Sequence, residues 1–424
     1  MSLTPSQVQT IKATVPVLQE HGNTITTTFY ANLLREHPEL NNIFNNANQR
    51  NNHQAQALAG SLYAYATYID DLGVLSPAVE KICQKHASLY IRPEHYDIVG
   101  EYLLSAMGEV LGAALTQEIL GAWAAAYWQL AKIMIGREDQ LYKESEGWTD
   151  WREFKIVDKV KESEVITSFY LRPVDGRSLC AFKPGQYISI ETDVPDFGYL
   201  QSRQYSLSDA PSSDYFRISV KKEAHAKVGT SDAPVHPGWI SNLLHTTKNI
   251  GDALKVSHPA GDFFLDPQQD NDAPVVLLSA GVGITPMIAI LNTLVQRKTP
   301  QPVSFVHGSR TTKSQAFGDH IRDLAAKHGN VHAKFFIRDP SPETDTEGIH
   351  YHAAGRLTIA ALDQKQDLFL DNDRTKYFAC GPDAFMADVE RDLKALGVDG
   401  GRIRMEKFGT GDIVKEIRQS TASA

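Results

Sequence analysis

Apolar positions along the first third of the chain recur at helical spacing. Thr4 followed by Pro5 is a helix start: a side-chain cap, then a residue whose missing N–H costs nothing in the first turn. Gln7, three residues past the cap, completes a capping box, and Ile11, Val15 and Leu18 carry the stripe onward, so a first helix is predicted through Leu18. Ser76-Pro77 repeats the start signal, and further helices are predicted over residues 93–111 and 117–142. The pattern changes at Gly147-Trp148. From Phe154 the segments are short, β-branched and alternating: Phe154 to Val160, Val165 to Leu171, Tyr187 to Ile190 and Phe216 to Val220. Clusters of Pro, Gly, Asp and Ser separate them, which predicts an antiparallel barrel or sandwich. The stretch 223–238 is polar and reads as a long loop. After a polar linker at 268–273 the pattern changes again. Val275 to Leu278 is a continuous apolar run, as a buried parallel strand should be, and strands over 303–306 and near 331–337 alternate with helices.

The expected fold is therefore multidomain: an all-α unit over 1–147, an antiparallel β-barrel over 151–267, and an α/β doubly wound domain over 271–410. Residues 411–424 read as a surface helix or a loose tail. A length of 424 residues accommodates this plan.

Composition narrows the function classes. A hydrophobic fraction of 42% with 22% charged residues suits globular domains rather than disorder. A formal net charge of −9 argues against a nucleic-acid or anionic-membrane partner, either of which needs a basic face. The three cysteines, Cys83, Cys180 and Cys380, lie far apart and suit a reducing compartment. No secretory pattern opens the chain and no run is apolar enough for a membrane span. A cytoplasmic protein without integral membrane contact is expected.

Gly281-Val282-Gly283-Ile284-Thr285-Pro286 follows the apolar strand and opens a helix. The glycines let the backbone approach a pyrophosphate, and a helix with Thr285 as cap and Pro286 first offers free N–H groups to an anion. Pro286 stands where the dinucleotide fingerprint has its third glycine, and a tight turn without a ligand also satisfies this segment taken alone. Cys380-Gly381-Pro382 follows an apolar strand and precedes a helix, and Glu406-Lys407-Phe408-Gly409 sits beyond a final strand. Together the three segments resemble the nucleotide domain of the ferredoxin-NADP reductase superfamily. Ser309-Arg310 follows the second strand, where an arginine pairs with a 2′-phosphate and favours NADPH; no carboxylate stands at that spot to favour NADH. A solvated surface arginine is the bland alternative.

In the middle domain Arg203-Gln204-Tyr205-Ser206 resembles that superfamily's flavin-binding run. The resemblance implies Arg203 on the FAD pyrophosphate and Tyr205 and Ser206 on the isoalloxazine; a guanidinium fork suits phosphate oxygens and an aromatic suits a flat ring. Taken alone, the run also reads as an amphipathic strand. Gly185-Gln186-Tyr187 resembles the family's strand that contacts the flavin, Gly261-Asp262-Phe263-Phe264 also matches the family pattern, and Ser241 and Asn242 open a short helix whose N-terminus could meet a phosphate. By the same resemblance Phe408 lies over the flavin, with Glu406 near it.

In the helical third, Val79, Ile82, Cys83 and His86 share one face. On its own such a histidine is a core residue. With Lys85, Tyr96 and Glu138 it looks like the proximal side of a flavohaemoglobin, and Tyr30, Phe44, Gln54 and Leu58 match the opposite wall. Asn48 to Asn51 and then Gln54 are read as the start of the helix carrying that wall. The chain thus resembles the flavohaemoglobin (nitric oxide dioxygenase) family over residues 3–410, with all three parts in the family's order. Lys407 and Thr410 flank Phe408 where many members have Cys and Pro, and the 223–238 loop is longer than usual.

The resemblance implies haem b with His86 as iron ligand, Tyr96 and Glu138 bonded to its neighbourhood, Tyr30 and Gln54 as donors to O2, and Phe44 and Leu58 packing the haem. It implies FAD and NADPH or NADH as further cofactors, and O2 and nitric oxide as small-molecule partners. Lys85 would face the flavin domain and assist electron entry; a solvated lysine is its alternative. The implied activity is oxidation of nitric oxide to nitrate. The same electron chain acting on hydroperoxides or other acceptors is the alternative. A haem-based sensor would need an output domain, and the C-terminal part reads as a complete reductase instead. A monomer is expected, and a lipid in the haem pocket is left open.

Overall fold

The computed structural model describes residues 2–44, 52–194, 198–224, 238–266, 268–270 and 272–409. The helix start at Asn48 to Asn51, most of the 223–238 loop, Thr410 and the tail lie outside the described residues.

Six helices come first: α1 (Pro5–Ala13), α2 (Val15–Glu36), α3 (His53–Thr67), α4 (Ser76–Ser88), α5 (Pro93–Leu111) and α6 (Gln117–Glu144). The capping box forms as expected: Thr4 Oγ1 accepts the Gln7 N–H and Gln7 returns its amide oxygen to the Thr4 N–H. The first helix does not run through Leu18. Pro16 has no N–H to give the Lys12 carbonyl and its ring crowds the turn before it. Thr14 ends α1 by turning its N–H (3.0 Å) and its hydroxyl (2.6 Å) onto the Ile11 carbonyl. The stripe survives the break, since Ile11 and Leu18 are both buried. Asn52, just before α3, holds a left-handed φ of 61°, which asparagine tolerates better than most residues.

These helices build two cores rather than one. The larger gathers Ile25, Phe29, Tyr30, Leu62, Tyr65 and Leu103, with Phe44 and Leu58 packed on it. The smaller gathers Cys83, Ala87, Tyr96, Met134 and Leu141 beneath α4.

Strands β1 (Arg152–Lys161), β2 (Ile166–Pro173), β3 (Tyr187–Val194), β4 (Tyr199–Ser206), β5 (Phe216–Lys221) and β6 (Ala253–Val256) form one antiparallel sheet in the order β4-β3-β6-β1-β2-β5. A bridge from Leu207 to Ile218 joins its two edges into a barrel. Alternation drives the closure: Phe154 and Ile156 point in, Lys155 points out. Trp148, Phe154 and Phe216 stack nearly parallel inside, and Arg152 lies 4.4 Å from the Trp148 ring centre. A short helix, α7 (Trp239–Thr246), packs Ile240 and Leu244 into the same core.

The last unit is a parallel sheet of β7 (Val275–Ala280), β8 (Val303–Ser309), β9 (Val331–Ile337), β10 (Ala353–Ala354), β11 (Lys376–Cys380) and β12 (Ile403–Glu406), ordered β10-β9-β8-β7-β11-β12. Helices α8 (Ile284–Gln296) and α9 (Gly318–Lys327) cover one face; α10 (Asp383–Ala395) covers the other. Burial from both sides explains the unbroken apolar run: Val275 and Leu277 face one core, Val276 and Leu278 the other.

Specific bonds dock the three units. Gln84 on α4 accepts the Gly261 N–H (2.8 Å), Ser88 meets the Ser189 hydroxyl (3.0 Å), and the Tyr90 hydroxyl accepts the His258 N–H (3.1 Å). Asn292 on α8 donates to Asp209 of the barrel unit (2.8 Å), and Arg404 on β12 donates to the Phe264 carbonyl (2.7 Å).

Candidate active site

His86 sits in the last turn of α4, and both of its hydrogen-bond partners meet Nδ1. Glu138 Oε1, from α6, and the Tyr96 hydroxyl, from α5, each lie 3.0 Å away. The Tyr96 hydroxyl donates to Glu138 over 2.6 Å. Burial first, then the charge of Glu138, pushes the Tyr96 hydroxyl far above its usual value, so it stays a donor. A carboxylate only accepts, so Nδ1 carries the ring hydrogen and Nε2 keeps its lone pair. The described residues hold no group of three or more His, Cys, Asp or Glu that could grip an ion. With the hydrogen held on Nδ1, the His86 Nε2 lone pair suits a metal such as porphyrin iron.

Tyr30, on α2, is buried with its ring edge-on to Phe44 (5.5 Å) and Phe29 (4.7 Å). Gln54 on α3 hydrogen-bonds its hydroxyl, and burial holds that hydroxyl above its usual value. Leu58, one turn on, packs on the same core. The four residues expected on one wall, Tyr30, Phe44, Gln54 and Leu58, are brought together.

Lys85 follows from α4 toward the barrel. Burial, then the charges of Arg203 and Lys81, pushes its ammonium below the usual value. Arg203 is likewise lowered by burial, and it donates to the Ser202 carbonyl (2.7 Å). Two cations within range of each other, both short of water, suit an anionic group such as a pyrophosphate.

Around them β3 and β4 pair in register, Tyr187 with Ser206 and Ser189 with Gln204. Gln204 donates to the Ser189 hydroxyl (3.1 Å), which donates to Ser88 (3.0 Å), and Ser88 also bonds the Tyr187 hydroxyl. Gly261 has φ 115°, and a Cβ there would stand 3.0 Å from the Tyr187 ring. Burial raises the Tyr205 hydroxyl. The side chains of Ser241 and Asn242 are engaged locally: Ser241 donates to the Gly238 carbonyl (3.0 Å) and Asn242 to those of Glu223 (2.7 Å) and Gly238 (2.8 Å). They tie together the two ends of the long loop.

At the other end, Gly281 has φ 57°, and a Cβ on Gly283 would collide with the Cys380 carbonyl, so the loops after β7 and β11 touch through backbone. Thr285 is not the cap. α8 begins at Ile284 with Gly283 at the cap position, and Thr285 lies inside, its hydroxyl on the Val282 carbonyl (3.0 Å); Pro286 is buried beside it. A single 3-10 turn at Gly281–Gly283 leads directly into the helix and moves the start forward. Gly381 and Pro382 link β11 to α10. Cys380 and Glu406 are register partners across β11 and β12, and burial, then Glu406, pushes the Cys380 thiol well above its usual value. Phe408 stands just past β12, 49% exposed.

Ser309 ends β8 with its hydroxyl 2.9 Å from His307 Nε2. Arg310 is exposed, and its Nε lies 3.5 Å from Asp339. The carboxylate missing beside Arg310 in sequence thus arrives from the turn after β9. Sequence reasoning missed Asp339 and His307, and the docking residues Gln84, Ser88, Ser189 and His258. None stands in a recognisable motif; their positions follow only from strand register and the packing of α4 on the barrel.

Fold and site together define an oxidoreductase in which a globin is joined to a ferredoxin-NADP reductase-like barrel and α/β domain. The Globin family model matches residues 27–134, and the Oxidoreductase NAD-binding domain model matches residues 277–391. A flavohemoprotein of Bordetella parapertussis is 45% identical over 97% of this chain and 100% of its own length. One of Deinococcus radiodurans is 46% identical over 96% of this chain and 97% of its own length. The chain belongs to the flavohemoprotein family. The crystal structure of flavohemoglobin from Malassezia yamatoensis, with bound FAD and haem, superposes with a TM-score of 0.82 at 29% identity, covering 96% of this chain and 100% of that one. The FAD/NAD-binding domain of nitric oxide dioxygenase from Vibrio cholerae matches 61% of this chain and 99% of its own, with a TM-score of 0.52 at 37% identity. No described helix is long and apolar enough to cross a membrane.

Proposed function

We propose that this chain is a nitric oxide dioxygenase. Haem b would lie between Tyr30 and His86, FAD between β3–β4 and α4, and NADH or NADPH over the carboxyl ends of β7, β8 and β11. The overall reaction takes two nitric oxide, two O2 and one NAD(P)H to two nitrate, one NAD(P)+ and one proton. When bound, the three groups supply hydride acceptance, one-electron transfer and O2 chemistry.

The observation that carries the reading is the meeting of Glu138 and Tyr96 on His86 Nδ1. By accepting the Nδ1 hydrogen, Glu138 makes Nε2 a stronger donor to a metal, a push that oxygen storage does not need and oxygen chemistry does. Across the pocket Tyr30 donates its hydroxyl hydrogen toward developing negative charge, with Gln54 holding it in place. Lys85 and Arg203, two buried cations within range of each other, would hold an anionic group such as the FAD pyrophosphate. Glu406 and Cys380, register partners at the ends of β12 and β11, would lie near the nicotinamide, and Phe408 would cover the flavin until the nicotinamide reaches it. The flavohemoprotein relatives and the described Vibrio cholerae dioxygenase domain support the same reading.

The test is the purified holoenzyme in aerobic buffer with an NO electrode. Rapid loss of nitric oxide that needs both O2 and reduced nucleotide, with nitrate as product, is the expected result. Nucleotide oxidation that leaves nitric oxide untouched would move the function to reduction of hydroperoxides or other acceptors.

A further inference from the structure

Strand β12 lies at the edge of the parallel sheet, and among the described residues it pairs with β11 alone. Alternation divides its side chains. Ile403 and Met405 pack on the core beneath α10. Arg404 and Glu406 take the other face, opposite their register partners Phe378 and Cys380. Those two partners belong to a core that the barrel unit also enters, through Ile166, Phe263 and Leu265. The chain leaves β12 at Glu406 and reaches Phe408 two residues on.

One guanidinium fastens this strand to the barrel. Arg404 lies over the Phe378 ring, 5.3 Å from its centre. Its Nη1 donates to both the Phe264 carbonyl (2.7 Å) and the Asp270 carboxylate (3.0 Å). Both acceptors are fixed points. Asp270, in the link between the barrel and the α/β domain, is 3% exposed. Its carboxylate also accepts the Asp266 N–H (3.0 Å), with Lys376 Nζ 4.0 Å away, and its carbonyl accepts the Gln301 amide (3.2 Å). Phe264 is held on both sides. Phe263 before it meets Phe378 edge-on at 5.6 Å, and a Cβ on Gly185 would stand 2.7 Å from the Phe263 carbonyl. Lys183 Nζ lies 4.2 Å from the Phe264 ring centre and 3.3 Å from Asp266. Arg404 therefore ties β12 to the run of barrel backbone that carries Gly261 to Phe264. A four-residue edge strand has ladder bonds on one side only, so its twist and height depend on whatever else holds it.

We infer that Arg404 is a positioning residue for hydride transfer: by clamping β12 to Asp270 and to the Phe264 carbonyl, it sets where Glu406 and Phe408 stand relative to the flavin. Glu406 follows Arg404 on the same face, so a slip at the clamp is passed directly to it. Hydride transfer needs donor and acceptor held at near contact, and a misplacement of about 1 Å can cost ~100-fold in rate. Arg404 acts through the strand rather than by touching nucleotide or flavin. Its loss slows the chemical step and leaves the binding of the nucleotide's adenosine half alone. The inference rests on the proposed placement of flavin and nicotinamide beside Phe408 and Glu406.

The test uses the full-length holoenzyme and three variants, Arg404→Met, Arg404→Lys and Asp270→Asn. Flavin reduction is followed anaerobically by stopped flow over a range of NADH and NADPH concentrations. Arg404→Met should lower the limiting rate ~10- to 100-fold, while the nucleotide concentration at half-maximal rate stays within ~2-fold of the wild type. Arg404→Lys, whose ammonium has donors for both acceptors, should recover most of that rate. Asp270→Asn keeps the Phe264 bond and removes the charge from the other, so its limiting rate should fall only ~3-fold. Hydrogen exchange by mass spectrometry reads the strand without turnover: amides of 403–409 should exchange ~10-fold faster in Arg404→Met, with β7 and β8 unchanged. Lys376 stays beside Asp270 in that variant, so its carboxylate is not left alone. Should Arg404→Met lose its flavin, Asp270→Asn carries the same comparison. Limiting rates within ~2-fold of the wild type in both variants, a loss that Arg404→Lys does not recover, or faster exchange throughout the sheet would overturn the inference. A wild-type flavin that neither nucleotide reduces is a different result: it would remove the placement of flavin and nicotinamide, and the inference with it.

Discussion

Glu138 and Tyr96 act through one nitrogen, and that makes their roles separable. Glu138→Gln keeps the shape and removes the charge, and turnover of nitric oxide should fall ~10- to 100-fold. The iron–histidine stretch in the Raman spectrum should shift down with it; an unchanged stretch would mean that Glu138 only packs. Tyr30→Phe removes a buried hydroxyl on the opposite wall, and O2 should leave ~10- to 100-fold faster in flash photolysis. His307 carries a pH signature. Burial depresses its pKa to about 3 when folded, so between there and the ordinary histidine value near 6.5 the unfolded chain binds a proton that the folded chain does not. Its contribution to stability is complete above about 6.5 and is lost as pH falls toward 3, with a slope of up to about 1.4 kcal/mol per pH unit. Denaturant melts of His307→Leu should show a flatter acid limb than the wild type. At this scale the sequence was readable where chemistry is concentrated in a motif: His86, Tyr30, Gln54 and the Arg203 to Ser206 run stand where the structure gathers polar groups. It was silent on Asp339, whose meaning comes from the neighbouring strand, and on the bond that ties Ser309 to His307, two positions back on the same face.

Whole elements were legible wherever one period persisted. Helix α5 falls on the predicted span, and the run Val275 to Leu278 is a strand buried on both faces. The misses have local causes. Pro16 divides a stripe that reads as one helix, and the four-residue β6 is too short to show a period. Thr285 has the look of a cap, but the preceding 3-10 turn places it inside α8. Backbone contact between the β7 and β11 loops makes a sharp prediction here. Gly283→Ala should drive the Cys380 carbonyl away and abolish nucleotide binding, measured as loss of flavin reduction, while the haem spectrum stays that of the wild type. Gly100→Ala gives the complementary result. Its Cβ would sit 2.5 Å from the Tyr127 ring, whose hydroxyl donates to the Tyr96 carbonyl. A stability loss of about 1–3 kcal/mol is expected, with the proximal bonds disturbed and nucleotide binding intact.

For the whole molecule, α4 is the element that joins the two chemistries. Its inner side carries His86, and its outer side is bonded to the barrel through Gln84 and Ser88. The Ser88 hydroxyl meets both Ser189 and Tyr187, so the helix that carries His86 and strand β3 share one short hydrogen-bonded path. Ser88→Ala combined with Gln84→Leu should slow electron passage from flavin to haem in stopped flow while flavin reduction by nucleotide keeps its rate. Equal slowing of both steps would point to general unfolding instead. The order of the three units was visible in the sequence because each has its own hydrophobic period; their docking was not, because it depends on single polar pairs between residues 83 to 177 positions apart. The central claim, that the three units together add O2 to nitric oxide, is tested most directly with isotopes. The holoenzyme is supplied with reduced nucleotide, nitric oxide and 18O2, and the product is analysed by mass spectrometry. Nitrate carrying both atoms of one O2 is the predicted result; nitrite, or nitrate with fewer labelled oxygens, would contradict it.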